Sequence, residues 1–190
     1  PFPGYLQLVG GSADAITFFV GSILFTAGGA LQSWLAWEGW RSAEAGGRAA
    51  WWSAIVQSAG TLFFNVTTFT AMNDALSTKQ EDIRVWAPDA LGSACFLVAS
   101  GLALAAVWSR RGAPWRIAWL NMLGSVAFMA SALASFVLPS TGGLIDEPLA
   151  NAGTFIGAVC FLVGAALMLP AWRAAVRAAG STRRTVGEAT

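Results

Sequence analysis

The 190-residue sequence has no histidine, one tyrosine, two cysteines and few charges, with Asp, Glu, Lys and Arg making up only 11% of the chain. An ordinary soluble domain carries about 25% charged residues. Each shortage excludes something. Without histidine the chain lacks the commonest general base, metal ligand and haem axial ligand. Two cysteines cannot build a disulfide framework or a thiolate zinc site. Eleven basic and ten acidic residues leave a net charge of +1, far from the dense basic face that a nucleic-acid partner requires. With so little charge the chain cannot cover a water-facing surface.

What the chain has is apolar residues, 56% of the total, in runs long enough for membrane crossing. A spanning helix needs about 20 mostly apolar residues. Five stretches qualify: 13–37, 51–71, 86–108, 115–137 and 149–172. The expected fold is therefore all-α, a polytopic membrane bundle of five transmembrane helices over residues 1–172, followed by a basic cytoplasmic tail, 173–190. Charges fall almost entirely between the spans, with Asp89 and Arg116 close to helix ends and none near the middle of a span; a charge at a span's centre would cost at least about 2.5 kcal/mol. Trp37, Trp51, Trp52, Trp86, Trp108, Trp115 and Trp172 sit at span ends, as in an interfacial aromatic belt. Residues 1–11, broken by proline and glycine, read as an interfacial approach, with Ser12 as the N-cap of the first span.

Basic residues set the orientation. Lys79 and Arg84 are alone on one side; Arg41, Arg48, Arg110, Arg111, Arg116, Arg173, Arg177, Arg183 and Arg184 lie on the other. The expected location is the bacterial cytoplasmic membrane, with the C-terminus cytoplasmic and the N-terminus of these 190 residues outside.

Every span contains the pattern Gly-small-x-x-Phe. The glycines are Gly21, Gly60, Gly92, Gly124 and Gly157; the phenylalanines four residues on are Phe25, Phe64, Phe96, Phe128 and Phe161. Seven and eight residues after each glycine stand further small residues: Gly28 and Gly29, Thr67 and Thr68, Ala99 and Ser100, Ser131 and Ala132, Gly164 and Ala165. At 100° per residue these positions share one face. Helices in lipid associate through close packing of small residues, so this face is expected in helix contacts. Three residues before the glycines come Phe18, Gln57, Asp89, Asn121 and Thr154. Gln57, Asn65, Asp89 and Asn121 either bond between helices or line a hydrated polar path, and Asp89, following Pro88, suits a helix start. Cys95 and Cys160 occupy equivalent repeat positions and read as small packing residues.

The glycines are 39, 32, 32 and 33 residues apart, and spans three and five share Cys-Phe-Leu-Val at 95–98 and 160–163. The natural unit is a hairpin: spans two and three, then four and five. Span one resembles a second member without its first. A partner about 32 residues upstream would place a glycine roughly a dozen residues before Pro1, with residues 1–12 as the loop between. The rival expectation is a cleaved signal peptide.

The Gly-Thr-Leu-Phe-Phe-Asn (60–65), Val-Trp-Ala-Pro-Asp (85–89) and Gly-Ser-Ala-Cys-Phe-Leu-Val-Ala-Ser (92–100) segments resemble uncharacterised bacterial multi-pass proteins with YrhK-type helical hairpins. The resemblance covers about residues 13–170 and implies a hairpin-built bundle, with no activity or functional residue to carry over.

Three functions compete. A non-catalytic structural or accessory subunit would meet membrane lipid and other membrane subunits, or copies of itself. A small channel or transporter would use Gln57, Asn65, Asp89 and Asn121. A membrane enzyme without histidine would need paired carboxylates, and Glu81-Asp82 and Asp146-Glu147 lie in loops with no nucleophile beside them. A hydrophobic cofactor such as a quinone or carotenoid, or a bound lipid, would need no polar motif; the sequence leaves any cofactor unknown.

Overall fold

The computed structural model describes residues 3–42, 46–73, 75–109 and 111–187, with side chains described between 13 and 169. The described residues are helical apart from connections. They form α1 (Pro3–Arg41), α2 (Gly47–Thr70), the single-turn α3 (Thr78–Glu81), a π-helical turn (Asp82–Trp86), α4 (Ala87–Val107), α5 (Ala113–Ala134) and α6 (Glu147–Gly187). No strand occurs among the described residues beyond one isolated bridge between Val137 and Leu144.

Four helical stretches are long and apolar enough to cross a membrane: Ala13–Arg41, Thr78–Val107, Ala113–Ala134 and Glu147–Leu169. The expected span 51–71 is not among them. Its helix, α2, carries Ser53, Gln57, Ser58, Thr61, Asn65, Thr67, Thr68 and Thr70, and these polar side chains lower its hydropathy. Residues 3–11 are also helical rather than an approach segment or the loop after an upstream partner, and Ser12 lies inside α1. Pro3 stands at the helix start, where proline is tolerated, and Gly4, Gly10 and Gly11 lower helix propensity by about 1 kcal/mol each without forbidding the helix. At the far end of α5 the helix stops at Ala134, so Val137 belongs to the following loop.

Local chemistry explains the stops. Gly112, at φ 106°, turns the chain into α5, whose first turn contains Pro114. The Asp146 carboxylate accepts the Leu149 amide (2.9 Å) and caps α6. Gly142, at φ 67°, closes the loop between α5 and α6, where its amide donates to the Leu138 carbonyl (2.8 Å). Ser77 and Gln80 form a capping box at α3, and the Asp82 carboxylate accepts the Val137 amide (3.2 Å), tying the two connections together.

The long helices pack in chain order, α1 on α2, α2 on α4, α4 on α5 and α5 on α6. Each neighbour is antiparallel. Along α1 and α2, for example, Ser22 meets Thr68 (2.9 Å) while Ser33 meets Ser58 (2.8 Å).

Candidate functional site

The interior is built from one side chain per helix. Phe25, Phe64, Phe96, Phe128 and Phe161 form a single aromatic cluster. Ring centroids lie 5.5 Å apart for Phe25–Phe96, 5.2 Å for Phe64–Phe96, 5.5 Å for Phe64–Phe128 and 5.7 Å for Phe128–Phe161. These are tilted and edge contacts, the geometry aromatic rings prefer. Phe96 is fully buried and touches the other four rings.

The glycines decide how close the helices come. An ideal Cβ on Gly60 would lie 2.8 Å from the Phe96 ring and 3.0 Å from the Gly92 carbonyl oxygen; on Gly92 it would lie 2.7 Å from Phe64 and 3.0 Å from the Gly60 oxygen. The same exchange recurs between α5 and α6. A Cβ on Gly124 would stand 3.1 Å from Phe161 and from the Gly157 oxygen, and one on Gly157 would stand 2.9 Å from Phe128. Each phenylalanine therefore covers the partner helix's glycine, in two matching pairs, α2 with α4 and α5 with α6.

Helix α1 departs from this. Gly21 and Gly28 were expected in helix contacts, yet a Cβ on either would meet nothing within 4 Å. The buried face of α1 is rotated by one residue, about 100°, so that Ser22 and Gly29 face α2. A Cβ on Gly29 would lie 3.1 Å from the Ser58 hydroxyl. The physical reason is which neighbour is present: α4 and α6 set their glycines against the helix before them, whereas α1 packs only on α2, the helix after it.

Hydroxyl groups stitch every seam. Ser53 donates to the Ala99 carbonyl (2.8 Å), Thr67 to Val85 (3.1 Å), Ser125 to Phe96 (3.0 Å) and Ser131 to Ala150 (2.6 Å). Ser100 and Ser125 share a hydrogen bond of 2.8 Å, as do Ser131 and Thr154. Sequence reasoning counted Thr67, Ser100, Ser125 and Ser131 as merely small, gave Thr154 only as a polar position and did not single out Ser53. A partial signal is the Ser directly after three of the glycines: Ser22 bonds to Thr68, Ser93 to the Phe128 carbonyl and Ser125 to Ser100 and the Phe96 carbonyl, whereas Thr61 bonds within α2.

The polar residues singled out as a path are dispersed. Asn65 Nδ2 donates to Thr26 Oγ1 (2.9 Å) across the α1–α2 seam, while its Oδ1 is buried without a protein partner. Gln57 is buried on α2. Asn121 faces α6, where a Cβ on Gly164 would come 2.9 Å from its Oδ1. Asp89 is half-buried in the first turn of α4. None of the four lines the open hollow of about 640 Å³ beside Val66, Phe69, Ile83, Arg84 and Pro88, nor the smaller one beside Leu133 and Ile145.

Cys95 and Cys160 are free thiols on α4 and α6. Among the described residues no three of His, Cys, Asp and Glu come together as a metal site would require. Trp37, Trp40, Trp51 and Trp52 stack where α1 ends and α2 begins, with centroids 4.7–5.8 Å apart. The Arg111 guanidinium lies over the Trp115 ring at 5.2 Å. No protein-family model, no curated protein and no solved structure matches the chain.

Proposed function

We propose that the chain is a non-catalytic multi-pass protein of the bacterial cytoplasmic membrane, a structural or accessory subunit of a larger membrane assembly. All five long helices cross the bilayer in this reading, the Gly-small-x-x-Phe helices pairing as hairpins in the manner that the resemblance to YrhK-type proteins implies. Helix α2 crosses with the rest because its polar groups are spent on α1 and α4 rather than offered to lipid: Asn65 on Thr26, Thr68 on Ser22, Ser58 on Ser33, Ser53 on Ala99. A hydroxyl or amide satisfied between helices costs far less in lipid than a free one. The distribution of arginines supports a cytoplasmic C-terminus.

The observation that carries the reading is the aromatic cluster. A channel needs a hydrated path through the helices, but the helices' shared interior is filled by five rings in mutual contact. The polar residues lie in helix seams and at a helix start instead of along one line. A second reading, binding of a lipid or other hydrophobic ligand, is favoured by the open hollow that Arg84 shares with Val66, Phe69 and Ile83.

The test is extraction of the chromosomally tagged protein from its own membranes in mild detergent, followed by native electrophoresis and mass spectrometry. Stoichiometric co-migration with other membrane proteins is the expected result. Migration only as a monomer or homo-oligomer, or ion flux from the protein reconstituted alone in liposomes, would overturn the reading.

A further inference from the structure

Helices α1 and α6 meet through the Phe25 and Phe161 rings but are not otherwise extensively packed, and the groove this leaves is bordered by faces that are covered elsewhere in the bundle. In the two complete pairs the second member buries its repeat glycine and the residue seven on against the first member. Gly92 and Ala99 are buried on α4, and Gly157 and Gly164 on α6. On α1 the corresponding Gly21 and Gly28 are exposed. The second members also bury the next positions, one and eight after the glycine, against the helix that follows. Ser22 and Gly29 on α1 are buried by α2, and Ser93 and Ser100 on α4 by α5. On α6 the corresponding Ala158 and Ala165 are exposed.

The ring cluster has the same asymmetry. Phe25, Phe96 and Phe161, from the three second members, form a nearly equilateral triangle with centroid separations of 5.5, 5.7 and 5.7 Å. The first members contribute an edge, Phe64–Phe128 at 5.5 Å, where the triangle has three corners. The two faces belong to opposite ends of the chain and the ring geometry is independent of both, yet all three call for the same object: one helix like α2 and α5, antiparallel to α1.

We infer that the groove is filled by a transmembrane helix of this same polypeptide that precedes residue 1, carries a Gly-small-x-x-Phe segment, and completes a ring of three hairpins. The source follows from order. In both complete pairs the first member precedes the second, by 32 and 33 residues between glycines; because α1 is already helical from Pro3, the spacing to its first member is longer. The helix sets its glycine against Gly21, its phenylalanine beside Phe25 and Phe161, and its own small residues against Ala158 and Ala165. The inference rests on the membrane reading above but not on any partner subunit.

Two measurements on the full polypeptide from its native membranes test it. Intact mass, corrected for a C-terminal tag, should exceed 19.8 kDa by at least about 3 kDa, the mass of one span and a turn. A mass of 19.8 kDa overturns the inference, even where a separate small membrane protein co-purifies. Gly28→Leu should lower the melting temperature by roughly 4 °C or more. The control Ala27→Leu, one residue round the helix and equivalent to the exposed Val98 and Val163, should leave it unchanged. If Gly28→Leu is as silent as Ala27→Leu, lipid fills the groove and the inference fails. Both results are independent of whether other proteins accompany the chain, so they can fail while the accessory-subunit reading stands, and the reverse.

Discussion

Truncating the central ring, Phe96→Ala, separates a packed interior from a loose one. Phe96 has no exposed surface and contacts four rings at 5.2–6.0 Å. In a water-soluble core such a change costs about 3–5 kcal/mol. Part of that, about 1.5–3 kcal/mol, is transfer from water, and it is absent when the unfolded reference already sits in lipid or detergent. The remainder is lost dispersion around the cavity. Four ring contacts at about 0.5–1.5 kcal/mol each overlap with that remainder and raise it. The expected loss is about 3 kcal/mol. The comparison is Leu162→Ala, at a side chain 70% exposed on the outer face of α6, where the loss should stay under about 0.5 kcal/mol. Reversible unfolding of the purified protein by sodium dodecyl sulfate in mixed micelles measures both. Equal losses at the two sites, or less than about 1 kcal/mol at Phe96, would refute the argument that the five rings hold the helices together.

Other outcomes follow from the seams. Gly60→Val should abolish folding in detergent, because the first added carbon already lies 3.0 Å from the Gly92 carbonyl oxygen; recovery of wild-type yield and elution volume would mean that α2 and α4 can separate at no cost. Ser125→Ala removes the hydroxyl that bonds to Ser100 and to the Phe96 carbonyl and should cost about 0.6–1.7 kcal/mol in the same unfolding assay, with no loss showing that the seam is held by packing alone. Replacing Gln57, Asn65 and Asn121 together by Ala should leave the ion permeability of reconstituted vesicles at the level of protein-free vesicles, as for the unaltered protein. A permeability that the unaltered protein shows and the triple variant lacks would return the function to a channel.

The recurrence of glycine and phenylalanine four residues apart was legible because close helix packing constrains spacing and size together, and five such phenylalanines meet in the structure. The faces of α1 were not. Sequence alignment makes Gly21 equivalent to Gly60 and Gly92, but burial is decided by which neighbour is present, and α1 packs on α2 through Ser22 and Gly29 instead. The hydroxyl seams were hidden for a related reason. Ser93, Ser100 and Ser125 are small enough to count as packing residues, and only their position opposite a carbonyl or another hydroxyl gives them partners.

Helix α2 shows why hydropathy and burial separate in such a bundle. Hydropathy measures whether a helix can face lipid on every side, which is the condition for an isolated span. Helix α2 lies between α1 and α4 and turns Ser53, Gln57, Thr61 and Gly60 into buried seams. Its outward positions remain apolar, with Leu62, Val66 and Phe69 all more than half exposed. A helix so placed needs an apolar stripe on one side only, and the polar residues on its other sides are of use there because they bond across seams that leucine could only pack. The mean over the helix therefore falls while the surface presented outward does not change. Helix α6, which is covered on one side only, shows the converse: Ala158, Leu162 and Ala165 lie exposed, and its Glu147–Leu169 stretch is apolar enough to qualify as a span. The low hydropathy of α2 thus reflects polar groups that its two neighbours cover.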